Sequence, residues 1–113
     1  MELLNGHCKK NFDFWLSENH KLILDYKDGS FYYLPIICQN ALIVDFFDSN
    51  DIKISVHFQT FGNYYFNAMV TKGHLTTNLR LNSENRNDAI TEAIKHSNKH
   101  YNDNCRVVFS DFL

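Results

Sequence analysis

The chain has 113 residues, yet only one proline (Pro35) and four glycines (Gly6, Gly29, Gly62, Gly73). So few breakers leave no Pro- or Gly-rich linker, and neither an internal repeat nor a low-complexity tract is present. Residues 1–113 therefore read as a single domain, a length that suits one hydrophobic core. Glycine is too scarce to line a phosphate cradle, and the GxGxxG, P-loop and GxSxG patterns are absent. Only three cysteines occur: Cys8, Cys38 and Cys105. Their odd number and wide spacing argue against a disulfide framework, and without a CxxC pair they offer neither a zinc clasp nor a redox motif. Cys38 and Cys105 are expected to pack as small hydrophobes. No run approaches the roughly 18 apolar residues of a membrane span, and "MELLNGHCKK" has no apolar signal region. Reduced thiols in a cytoplasm are the expectation.

Positive charge is also in short supply. Eleven Lys and Arg face thirteen Asp and Glu, for a net charge of −2. Clustered cations are what phosphate contacts require, so nucleic acid is a poor candidate for the main partner. The charge is uneven along the chain. Residues 1–51 carry eight acids against four lysines, a balance of −4, while the remainder carries five acids against seven bases, a balance of +2. An acidic first half favours a basic partner.

Aromatic residues are plentiful at 15 %, ten of them Phe and six Tyr. Hydrophobic content of 44 % with 21 % charged residues marks a folded domain. Much of the chain alternates with period two, the sign of half-buried strands. "NFDFWL" puts Phe12, Phe14 and Leu16 on one side, although Lys9–Ser17 also reads as a short helix with Phe12, Trp15 and Leu16 on one face. "KLILDY", a turn at Asp28-Gly29 and "FYYLPII" read as a hairpin, with Pro35 marking an edge or an end. "ALIVDFF" reads as a buried strand. "IKISVHFQ" sends Ile52, Ile54, Val56 and Phe58 inward. "NYYFNAMV" does the same with Tyr64, Phe66, Ala68 and Val70. After a turn at Gly73, "HLTTNLRL" alternates Leu75, Thr77, Leu79 and Leu81 with polar residues. The last three make an antiparallel meander with one wet face.

One segment, 86–102, is plainly helical. Ala89, Ile90, Ala93, Ile94, Ser97 and Tyr101 form its apolar stripe, Asn85 can cap it, and Lys95, Lys99 and His100 suit its later turns. "CRVVFS" then reads as a final strand. The predicted fold class is α+β: an antiparallel sheet with one long C-terminal helix packed on one face.

Chemistry is hard to place on this pattern. "DFFDSNDIKISV" lacks the glycine and the alternating oxygens of an EF-hand loop. Asp45, Asp48 and Asp51 are then a polar turn, an acidic contact surface, or both. His96 and His100 stand four apart on the helix, but "HSNKH" has no Glu after its first His, and Lys99 repels a cation, so a solvated helix face is expected rather than a zinc grip. His57 and His74 could in principle share acid–base work on RNA, yet outward histidines on strands are common and the acidic balance disfavours a nuclease. No catalytic residue, cofactor or metal is assigned. The candidate contact residues are the carboxylates Asp25, Asp28, Asp45, Asp48 and Asp51 with the aromatics Tyr33, Phe47 and Tyr65. Each aromatic belongs to a consecutive pair, one member of which would face away from the core of a strand.

In size and texture the chain resembles the small immunity proteins of bacterial toxin systems, including contact-dependent inhibition. That resemblance implies a binding protein that neutralises a basic toxin domain, such as a nuclease, by direct contact. The helix pattern Arg86, Ala89, Ile90, Ala93, Ile94 is similar to that of small phage proteins ending in a meander and a helix. The second resemblance implies an anti-defence or regulatory protein that binds a nucleotide or nucleic acid. Neither calls for a membrane, and both leave homo-oligomerisation open.

Overall fold

The computed structural model describes residues 3–20, 30–60, 62 and 64–112, with the backbone alone at 30 and 105–112. Among these residues lie three helices, α1 (Gly6–Asn19), α2 (Ile36–Ser49) and α3 (Arg86–Phe112), and three strands, β1 (Ile52–Gln59), β2 (Tyr65–Lys72) and β3 (Leu75–Asn78). A short 3-10 turn, Ser30–Tyr33, precedes α2. The fold is α+β, as the periodicities predict.

The strands form an antiparallel meander in the order β1-β2-β3. Ile54 pairs with Val70, Val56 with Ala68, and Phe58 with Phe66. Paired residues share a face, so one side of the sheet is apolar. Helix α3 lies across β1 and β2 on that side, α2 packs on β1, and α1 rests against α2 and α3. Ala89, Ala93, Ile94 and Ser97 are fully buried. The two alanines let α3 approach closely, and Ser97 Oγ satisfies itself on Ala93 O at 2.8 Å. Asn85 caps α3 as expected: its Oδ1 accepts from the Asp88 N–H at 2.9 Å, while its Nδ2 donates back to Asp88 Oδ2 at 3.1 Å.

Several local expectations are corrected. "NFDFWL" is helical, within a helix longer than the Lys9–Ser17 alternative. Cys8, Phe12 and Leu16, four apart, are its buried stripe, and Phe14, the residue a strand would bury beside them, is 67 % exposed. "FYYLPII" and "ALIVDFF" are not strands either. They form the 3-10 turn and α2, with Pro35 as the N-cap residue of α2. Neighbours on a helix are about 100° apart, so Phe46 and Phe47 both turn inward. Their rings meet at 5.4 Å, and Phe46 also meets Phe12 at 5.4 Å. Strand β3 ends at Asn78 rather than Leu81. There Asn78 Oδ1 accepts from both Asn67 Nδ2 (2.7 Å) and the Arg80 N–H (3.0 Å), and Arg80 adopts a left-handed φ of 54°. Tyr64 precedes β2 and is 74 % exposed instead of facing the core. "CRVVFS" continues α3. This places Lys95, Lys99 and His100 in mid-helix, away from its C-terminal end. Cys38 is exposed and does not pack inside, whereas Cys8 is buried. The expected strand "KLILDY" and the Asp28-Gly29 turn lie outside the described residues.

Candidate partner-binding surface

Helix α2 organises the candidate surface. It starts where Cys38 N and Gln39 N donate to Pro35 O. The Gln39 side chain reaches back, its Nε2 donating to Leu34 O at 2.8 Å and Tyr32 O at 3.3 Å. This tie holds the 3-10 turn against α2, so that Tyr32, Tyr33, Ile36 and Ile37 share one end of the helix. All four are exposed, Tyr33 most of all at 73 %. Large apolar groups standing together in solvent are the usual sign of a contact region.

The other end of α2 carries the acids. Ile37, Ala41, Asp45 and Asp48, spaced by four, four and three, share the outward face, and all four are exposed. The last turn contains no basic residue. Instead Ser49 Oγ and Asn50 Nδ2 donate to Phe46 O, at 2.7 and 2.9 Å, and Asn50 N donates to Phe47 O. Asp51 follows with a left-handed φ of 61°, a conformation that aspartate tolerates better than most residues. Asp48 Oδ1 accepts from Lys53 Nζ at 2.7 Å. That hydrogen bond raises the Lys53 pKa against a smaller opposing effect of desolvation, with further help from the charges of Asp48 and Asp51. A carboxylate in the last turn meets the negative end of the helix dipole, an unfavourable placement.

A groove of about 760 Å³ runs along this face, between Ile37, Ala41 and Asp45 on one side and Arg86, Asp88 and Ile90 on the other. It links the apolar end of α2 to Asp45.

Among the candidates from the sequence, Asp45, Asp48 and Asp51 do gather at one end of α2. Tyr33 stands at the opposite end, roughly 20 Å away along the helix. Phe47 is no part of the surface: it is fully buried against Phe46 and Tyr101. Tyr65 is half-buried and pairs with Gln59 at the far end of β1 from Asp51, so it does not join the acids. Asp25 and Asp28 lie outside the described residues. Ile36, Ile37 and Tyr32 were missed. Read as a strand, "FYYLPII" would have buried half of them.

The histidines do not assemble a site. His57 pairs across from Asn67, toward one end of β2, whereas His74 sits in the turn beyond Lys72, at the other end. His96 Nε2 lies 3.0 Å from Lys72 Nζ. A lysine ammonium only donates, so His96 accepts there in its neutral form. Desolvation, followed by the charges of Lys72, His100 and Lys99, lowers the His96 pKa. His100 is lowered by desolvation and then by Lys72. Among the described residues no group of three or more His, Cys, Asp or Glu could hold a metal ion. No described helix is long and apolar enough to cross a membrane.

No protein-family model matches the chain, and neither a curated protein nor a solved structure matches it.

Proposed function

We propose that this chain is a non-catalytic binding protein that neutralises a basic partner protein, in the manner of an immunity protein that covers a toxin domain. The observation that carries this reading is the outward side of α2, which joins an exposed apolar end (Tyr32, Tyr33, Ile36, Ile37) to an acidic end (Asp45, Asp48, Asp51). Apolar anchors give a complex its lifetime, and complementary charge speeds the encounter. A toxin that cleaves nucleic acid needs a basic cleft for phosphates, and such a cleft is what these acids would meet. Lys9, Lys53, Lys95 and Lys99 each lie within 3.3 Å of a carboxylate. That pairing leaves less positive charge for phosphates and favours a protein partner over nucleic acid.

The test is affinity capture from the source cells, comparing the native chain with the triple variant Asp45→Asn, Asp48→Asn, Asp51→Asn. The expected result is a basic protein that is retained by the native chain, lost by the triple variant, and toxic when expressed without the native chain. A captured protein that both chains hold equally across a salt gradient would reject the acidic surface. A partner whose activity is unchanged on binding would reject neutralisation.

A further inference from the structure

Beside the apolar end of α2 is a pocket of about 200 Å³, walled by Leu4, Phe12, Phe31, Ile36, Ile43 and Asn40. Asn40 is 2 % exposed, and its Nδ2 is buried without a hydrogen-bond partner. An amide N–H taken out of water and left unpaired is costly, and native proteins rarely keep one without a reason. Two other polar side chains of the wall, Gln39 and Lys9, are already engaged. Gln39 Nε2 holds Leu34 O and Tyr32 O, and Lys9 Nζ is bonded to Asp13 at 2.7 Å.

The size of the pocket narrows what it takes. Sites for whole cofactors or drug-sized ligands span about 300–1,000 Å³, whereas a cavity of roughly 150 Å³ accommodates one benzene ring. The pocket therefore suits a single ring with a small polar group. Its rim includes Tyr32 and Ile36, 48 % and 59 % exposed, so its mouth opens within the apolar patch, where a protein surface would press. A hydroxyl both donates and accepts, and so it pairs with an amide in either orientation.

We propose that this pocket is the anchor site for one tyrosine side chain of the partner protein, its ring against Phe12, Phe31 and Ile43 and its hydroxyl on the Asn40 amide. The proposal rests on the binding role given above and adds the chemistry of the central contact. Tyrosine is among the residues most often found at such energetic centres of interfaces. The unpaired amide is then a feature of the free protein alone, satisfied once the complex forms.

The experiment needs no partner. ¹⁵N-labelled protein is titrated with N-acetyl-L-tyrosinamide and, separately, with N-acetyl-L-phenylalaninamide, which lacks only the hydroxyl. The tyrosine probe should shift the Asn40 side-chain NH₂ signals saturably and bind about two- to tenfold more tightly than the phenylalanine probe, the range for one neutral hydrogen bond. The variant Asn40→Leu, close in volume, should raise the melting temperature of the free protein and erase the preference for tyrosine. An absence of saturable shifts at Asn40, or equal affinity for the two probes, would overturn the proposal. So would a lower melting temperature in Asn40→Leu, since it would mean that ordered water already satisfies the amide. Because both probes act on the isolated chain, failure here leaves the acidic-surface reading standing, and the capture experiment tests that reading separately.

Discussion

Asn102 of α3 caps helix α1 at Cys8: its Oδ1 accepts from the Cys8 backbone N–H at 2.8 Å. The N-cap residue of α1, Asn5, makes no side-chain cap of its own. Its side chain instead accepts from Asn98 Nδ2 at 3.0 Å and from Asn102 Nδ2 at 2.8 Å, and its backbone N–H donates to Asn98 Oδ1 at 3.1 Å. One end of the chain is thereby fastened to a helix from the other. Gly6 permits the approach. It has φ of 59°, and a Cβ there would stand 3.0 Å from Asn102 Oδ1. Asn102→Ala should cost about 1–2 kcal/mol, the scale of a lost cap. Gly6→Ala should cost at least as much, through left-handed strain and crowding. Urea unfolding measures both. The double variant should fall short of the sum, because the two changes disturb the same junction.

Acid should weaken the fold through the histidines on α3. The folded pKa values of His96 and His100 lie below the ordinary 6.5, so the unfolded chain binds protons that the folded chain refuses. Stability is then full above about pH 6.5 and is lost as pH falls through that value toward the folded pKa values, levelling below them. For His96 the geometry agrees, because a protonated ring could no longer accept from Lys72. A melting-temperature series from about pH 8 to about pH 5 should fall on acidification. His96→Gln keeps an acceptor for Lys72 but removes the titration, and should flatten the series. An unchanged slope in that variant would mean that the pH dependence arises elsewhere.

The parts of the fold that were legible from the sequence are those where one period stands without competition. In "IKISVHFQ" the alternation is clean, and β1 follows it from Ile52 to Val56, whereas Phe58, expected inward, is 47 % exposed. In α3 the stripe from Ala89 to Tyr101 fits only a helix. Where the apolar run is continuous, as in Ala41–Phe47, both periods fit, and the run chooses by what it packs against. Pro35 compounds the ambiguity, since it suits a strand edge and a helix start equally well. "CRVVFS" has the β-branched look of a strand, yet it continues a helix already nucleated by more than four turns, where propagation is cheap. The candidate site was half legible. Charge counting found Asp45, Asp48 and Asp51, while the apolar end of α2 needed the helix to be known first. The pocket at Asn40 was out of reach, because no sequence pattern reveals an unpaired donor.

Phe47 offers a direct check on its move from surface candidate to core. It is fully buried, with Phe46 and Tyr101 rings at 5.4 and 6.5 Å. Phe47→Ala should therefore cost about 3–5 kcal/mol, the usual range for removing a buried phenylalanine. Tyr33→Ala, at a position 73 % exposed, should cost far less. A Phe47 variant as stable as the native chain would put the ring back on the surface.

Ile94 tests the seam between α3 and the sheet. It is completely buried within the core. Aspartate there would bring a charge with no partner into that seam, at about 3–5 kcal/mol, a large share of the roughly 5–15 kcal/mol that holds a domain together. Ile94→Asp should lose its cooperative thermal transition, or show it far below that of the native chain. Leu75→Asp makes the same chemical change at a site 68 % exposed, and its transition should stay close to the native one.

The acids of α2 should trade little stability for a large effect on association. Asp48 sits in the last helical turn, where the dipole disfavours it, but it gains Lys53 at 2.7 Å. Changing it to Asn removes both effects, which oppose each other. Asp45 and Asp51 are exposed, and surface replacements of this kind are usually close to neutral. The triple variant to Asn should therefore melt within about 2–4 °C of the native chain. Against the basic partner its association rate should fall and its salt dependence should flatten, while the dissociation rate, governed by the apolar end of α2, changes less. Tyr33→Ala should show the reverse pattern, with faster dissociation and an unaltered salt slope. Stopped-flow association at several ionic strengths separates the two. If the triple variant kept the native rate and slope, the carboxylates of "DFFDSND" would be no more than the polar end of a helix.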